Sequence, residues 1–147
     1  LGSKKSTIIA TIGDGSVPMN VQELETIKNY KIDVKIFVFN NKGYSLIKQT
    51  QETWLKGKYS GVDKSSGLSL PDNLMVAKAY GIKTMSIKNN QNLEKNISKA
   101  LKIKGPVLID LNINPLSRVE PKIEYGKPLH DMSPALPKKE ILNNMKN

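Results

Sequence analysis

The chain has 147 residues, 38% of them hydrophobic, with 23 lysines and arginines against 13 acidic residues and a formal net charge of +10. That length and apolar content suit one compact domain with a real core, and no apolar run approaches the ~20 residues that span a bilayer. Zero cysteines exclude disulfides and thiolate metal sites and fit a cytoplasmic protein.

The chain opens on a loop, Leu1–Lys5, with no basic, apolar and small-residue layout of a signal peptide. Thr7–Ile12 is a short β-branched apolar run and reads as a strand. Gly13-Asp14-Gly15-Ser16 follows it. Asn20 is placed to cap the next helix, with Glu23 three residues on as in a capping box and Met19 stapled against Leu24. Val21, Leu24, Ile27 and Tyr30 make its apolar stripe. Val34–Phe39 is a second strand, apolar enough for burial on both faces, and it ends on Asn40-Asn41-Lys42-Gly43.

Tyr44 to about Thr53 reads as a short helix, and residues 54–69 as a long glycine- and serine-rich loop. Pro71 suits the first turn of a helix with Leu74, Ala77 and Tyr80 inward and Gly81 just past its end. Thr84–Ile87 is a weak strand. Leu93, Ile97 and Leu101 mark a helix bounded by Asn92 and Gly105, and residues 106–113 form the last strand. Beyond Asn114 five prolines punctuate the chain, which ends in a short helix near Lys139–Met145. Residues 1–114 are therefore expected to form one α/β domain, a parallel sheet with helices on both faces, and 115–147 a proline-rich tail.

Both polar clusters fall at carboxyl ends of strands, the edge where open α/β sheets bind ligands. The residue types suit a divalent cation holding a diphosphate. Mg²⁺ prefers hard oxygens, and Asp14 offers a carboxylate, Asn41 an amide oxygen and the Lys42-Gly43 turn a carbonyl. Gly13 and Gly15 let backbone amides approach an anion. Taken alone, Asp14-Gly15 could be a hairpin turn and Asn40–Gly43 an ordinary left-handed turn, but a helix follows the first and their pairing favours the joint site. A dinucleotide fingerprint fails, because its third glycine would fall at Pro18.

Gly-Asp-Gly, about two dozen residues and then Asn-Asn resembles the cofactor-binding signature of thiamine-diphosphate enzymes. The flanking Gly15–Leu24, Ser66-Gly67-Leu68, Leu70-Pro71-Asp72, Ala77–Ile82 and Lys127–Pro134 look like the acetolactate synthase branch, so the likeness covers almost the whole chain. The resemblance implies a cation held by Asp14, Asn41 and the Gly43 carbonyl. It implies Gly13, Gly15, Ser16, Tyr44, Ser45 and Leu46 around the thiamine diphosphate, with Asn40 orienting the turn. It implies decarboxylation of pyruvate or another 2-oxo acid and carboligation to a second carbonyl compound, as in branched-chain amino acid biosynthesis. It further implies a separate N-terminal pyrimidine-binding domain carrying the catalytic glutamate, FAD as an optional cofactor of the full-length enzyme, and a homodimer or homotetramer. This chain would thus be an inactive fragment with no catalytic residue of its own.

One departure bears on substrate. Ser45–Gln51 carries Thr50 where acetolactate synthases usually place a tryptophan, and this resembles homologues acting on other 2-oxo acids, including ones in surface-sugar pathways. Glu23 reads as a surface cap rather than a catalyst, and the lone His130 as structural or exposed. A nucleic-acid module is the outside alternative to which the net charge points. Against it, Arg118 is the only arginine and aromatics are 5%, so the charge reads as a solvated lysine surface rather than a base-reading one.

Overall fold

The computed structural model describes residues 6–123 and 126–145. The expected loop at Leu1–Lys5 lies outside them. Strand β1 (Ile8–Gly13), helix α1 (Glu23–Asn29), β2 (Val34–Asn40), α2 (Ser45–Trp54), α3 (Asn73–Ala79), β3 (Lys83–Ile87), α4 (Leu93–Leu101) and β4 (Val107–Asn112) follow in sequence. All four strands run parallel in the order β1-β2-β4-β3.

Side-chain alternation along each strand sorts the core into two layers. Val34, Ile36 and Val38 of β2 and Leu108 of β4 face one way and bury Leu24 of α1 and Ala77 of α3. Phe37, Val107 and Ile109 face the other way and bury Ala100 of α4. Helices therefore cover both faces, as the apolar runs at 34–39 and 106–113 require. Val107, Leu108 and Ile109 are fully buried, and each such side chain contributes about 1.5–3 kcal/mol relative to exposure.

The step from β1 to β2 runs one way across the sheet and the step from β3 to β4 runs back. The carboxyl ends of β2 and β4 thus flank the reversal of strand order, the usual ligand crevice. At the opposite edge Lys35, 2% exposed, ion-pairs with Asp33. Its ammonium also donates to the carbonyls of Ile103 at 2.6 Å and Gly105 at 2.9 Å. A lysine in an otherwise apolar strand is here the tie between β2 and the end of α4.

Three local expectations are corrected. The Asn20/Glu23 capping box does not form: Pro18 opens a 3-10 turn, Pro18–Asn20, that draws Asn20 into the turn. The Asn20 side chain donates back to the Ser16 carbonyl at 3.4 Å, α1 starts at Glu23 with no side-chain cap, and Met19 is 65% exposed rather than stapled. Pro71 precedes α3 instead of entering it, because Asp72 is the cap, accepting from the amides of Leu74 and Met75. Within 54–69 the chain is not featureless. Lys64–Ser66 is a 3-10 turn capped by Asp63, and Val62 is 1% exposed.

The described residues divide into two compact units, one ending at Ser117 and the other beginning at Arg118. The second holds a two-stranded antiparallel ribbon of β5 (Lys122–Ile123) and β6 (Met132–Ser133), followed by α5 (Lys138–Asn144). His130 lies in it, exposed. No helix among the described residues is long and apolar enough to cross a membrane.

Candidate cofactor site

β1 delivers Asp14 to the carboxyl edge of the sheet, and β2, its parallel neighbour, delivers Asn40 and Asn41 beside it. Asp14 is 3% exposed. Its Oδ1 accepts from the Gly15 amide at 2.9 Å. Its Oδ2 accepts from the amides of Lys42 at 2.7 Å and Gly43 at 3.2 Å. Burial pushes its pKa up, opposed by those three amides and by the charge of Lys42. A cation placed beside this carboxyl group would favour its charged form.

The Asn41 side-chain oxygen is buried and accepts no hydrogen bond. Buried acceptors are nearly always satisfied, so this one fits a ligand atom outside the protein. Among the described residues no cluster of three or more His, Cys, Asp or Glu is placed to hold a metal. The donor set here is instead mixed, one carboxylate with amide and backbone oxygens, which suits Mg²⁺ carrying phosphate and water as its remaining ligands.

Asn40 is engaged otherwise: its Nδ2 donates to Asp110 Oδ1 at 2.8 Å and its Oδ1 accepts from the Lys42 amide at 3.3 Å. That fixes the turn, in which Lys42 adopts φ 66°. The two glycines serve packing. A Cβ on Gly15 would lie 2.1 Å from the Tyr44 ring, and one on Gly43 would lie 2.2 Å from the Val62 carbonyl oxygen. Gly15 therefore makes room for Tyr44 rather than leaving its amide open to an anion. Gly13 has nothing closer than Ser16 Oγ at 3.8 Å and does leave space.

Helix α2 begins at Ser45 without a side-chain cap, so its first-turn amides are free to bind an anion. Asn41, Gly43, Tyr44, Ser45, Lys48 and Asp63 line a cavity of about 240 Å³ there. Leu46 is 61% exposed on that first turn. A second cavity, of about 400 Å³, lies against Asp14, Asn40, Asp72, Asn73 and Asp110.

Three residues at this edge had not been singled out from sequence. Asp63 lines the first cavity; the spacing Asp63-x-x-Ser66 is a capping-box pattern that could have found it. Asn73 donates to the Asp14 carbonyl at 3.3 Å, and Asp110 orients Asn40. Neither carries a sequence signal, since each matters only through what the fold sets beside it.

Residues 1–111 match the family model described as the thiamine pyrophosphate enzyme, C-terminal TPP binding domain. The chain belongs to this family. Among curated relatives, the acetolactate synthase large subunit of Porphyra purpurea is 35% identical over 120 residues, 82% of this chain and 20% of that protein. The large subunit from Buchnera aphidicola subsp. Schizaphis graminum is 34% identical over 144 residues, 96% of this chain and 24% of that protein. A Rhodococcus jostii RHA1 thiamine diphosphate-dependent 4-hydroxybenzoylformate decarboxylase superposes with a TM-score of 0.65 at 27% identity, over 76% of this chain and 20% of that one. This thiamine pyrophosphate-binding domain thus spans about a fifth to a quarter of the length of these relatives.

Proposed function

We propose that the chain is the diphosphate- and Mg²⁺-anchoring part of an acetolactate synthase-like enzyme, which decarboxylates pyruvate or another 2-oxo acid and joins the product to a second carbonyl compound. The observation that carries the cation reading is the unpartnered Asn41 oxygen in the same turn whose amides bind the buried Asp14 carboxylate. Asp14, Asn41 and the Gly43 carbonyl would hold the cation. Gly13, Ser16 and the first turn of α2 at Ser45 and Leu46 would receive the diphosphate, while Tyr44, packed on Gly15, walls the site. When bound, thiamine diphosphate supplies the electron sink for loss of CO₂. This chain's residues position it, and a pyrimidine-binding domain elsewhere in the enzyme supplies the activating glutamate.

Leu46, Ile47, Trp54 and Leu55 leave an apolar surface on and just after α2, each more than half exposed. We assign that surface to contact with the pyrimidine-binding domain in a dimer or tetramer. A second reading, a thiamine-diphosphate decarboxylase acting on a different 2-oxo acid, is favoured by Thr50 at the position of the synthase tryptophan. The likeness to the 4-hydroxybenzoylformate decarboxylase supports it as well.

Calorimetric titration of the intact gene product with thiamine diphosphate, with and without Mg²⁺, tests the site. Binding that requires Mg²⁺ and is lost in Asp14→Ala is expected; equal binding by both proteins would overturn it. Turnover of pyruvate against bulkier 2-oxo acids then separates the two enzyme readings.

A further inference from the structure

The peptide between Gly43 and Tyr44 is the one whose carbonyl is assigned to the cation, and its other end is tied down. The Tyr44 amide donates to the Val62 carbonyl at 2.9 Å, in an antiparallel bridge that sets Gly43 opposite Asp63. A trans peptide is planar, with its N–H and C=O pointing opposite ways. Holding the Tyr44 N–H toward Val62 therefore turns the Gly43 carbonyl away from residues 61–68. The preceding peptide is held too, because the Gly43 amide donates to Asp14.

What holds Val62 is a dense knot around Asp63. The Asp63 carboxylate accepts from Lys48 Nζ at 2.7 Å, Ser65 Oγ at 2.6 Å, and Ser66 Oγ and amide at 2.9 and 3.0 Å. Ser66 Oγ in turn accepts from the amides of Val62 and Asp63, both at 3.0 Å. Lys48 stands on α2, one turn beyond Ser45, with its ammonium 4.9 Å from the centre of the Tyr59 ring. The knot thus joins the 61–68 loop to the helix at the other side of the cavity.

We infer that Asp63, tied to α2 through Lys48, is a positioning residue for the cation: it fixes the Val62 carbonyl, which orients the Gly43–Tyr44 peptide and so presents the Gly43 oxygen. This rests on the reading of Gly43 as a cation ligand. Groups that orient metal ligands from behind typically set metal affinity by 10- to 100-fold. The assignment gives the ion pair a role that surface pairs rarely have.

The test uses the intact gene product, titrated with Mg²⁺ at saturating thiamine diphosphate, and amide hydrogen exchange at Tyr44 without cofactor. Asp63→Ala is expected to raise the Mg²⁺ half-saturation about 10-fold or more and to speed Tyr44 exchange. Asp63→Asn, which keeps an oxygen for the Ser66 amide, should recover part of both. An unchanged half-saturation in Asp63→Ala would overturn the inference while leaving the site reading intact. Should that variant not fold, Lys48→Met and Ser65→Ala each remove one bond; several-fold weaker Mg²⁺ binding in both supports the clasp, and no change in either overturns it. If the unaltered protein binds the cofactor equally with and without Mg²⁺, the cation reading fails by itself and the clasp's role falls with it.

Discussion

The Gly43 amide lies 3.2 Å from the carboxylate of Asp14, a residue 29 positions earlier in the chain. That bond closes the loop between the ends of β1 and β2, and it sets the residue offered as a carbonyl ligand beside the residue offered as a carboxylate ligand. The chain's own hydrogen bonds thus hold the proposed ligand set together, with the Asp14 carboxyl group buried and the Asn41 oxygen without a partner.

Asn41→Ala should separate folding from binding. The Asn41 oxygen makes no hydrogen bond, so without ligand the variant should melt within a few degrees of the unaltered protein. A ligand at 100 times its dissociation constant stabilises the native state by about 2.7 kcal/mol. That gain, read by thermal denaturation with thiamine diphosphate and Mg²⁺, should vanish in the variant.

Gly15→Ala should act through Tyr44. The new methyl would overlap the ring, whose nearest carbon is 2.1 Å away, and overpacking of this kind costs about 1–3 kcal/mol. Adding Tyr44→Ala should recover part of that loss, giving a coupling term in a double-mutant cycle. Gly43→Ala meets the Val62 backbone instead and should have no such rescue.

Lys35→Met should destabilise the fold by about 1–3 kcal/mol, because it leaves the Ile103 and Gly105 carbonyls without their donor. Denaturant unfolding should show this. Mg²⁺-dependent cofactor binding should survive, since Lys35 sits at the opposite edge of the sheet from Asp14.

The Lys48–Asp63 pair should persist across a wide pH range. Its bonds with Lys48, Ser65 and Ser66 hold the Asp63 carboxyl well below the ordinary 3.8. Stability from a lowered carboxyl is present above that ordinary value and lost only as pH falls through the lowered one. The bond to Asp63 raises Lys48 above 10.5, so its contribution is full below 10.5 and lost as pH rises through the raised value. The stability difference between the unaltered protein and Lys48→Met should thus be flat from about pH 5 to pH 9, as paired urea titrations would show.

Much of this was legible in the residues. The runs at 34–39 and 106–113 are apolar apart from Lys35, Asp110 and Asn112 and suit burial between two layers, so they foretell a parallel sheet covered on both faces. The stripes at Leu24 and Ile27 and at Leu93, Ile97 and Leu101 foretell the covering helices. The two polar clusters, each placed just after a strand, foretell a shared edge. Local capping was less legible: Pro18 imposes a turn that overrides the Asn20 cap, and Asp72 competes better than Pro71 for the start of α3.

What the sequence by itself determined was periodicity and chemistry, meaning which segments pair, which bury, and that Asp14 and Asn41 offer hard oxygens. Tertiary structure alone decided which groups are already spoken for. Asn40 is consumed by Asp110 across the gap from β2 to β4, the Gly15 amide by Asp14, and the open face of Gly15 by Tyr44, while the Asn41 oxygen is left over. Hydrogen-bond satisfaction depends on which strands become neighbours, and β2 and β4 are brought together only by the order β1-β2-β4-β3. Local patterns encode each strand's faces but not its neighbours, and it is the neighbours that leave the side-chain oxygens of Asn41 and Asn73 buried and unpaired.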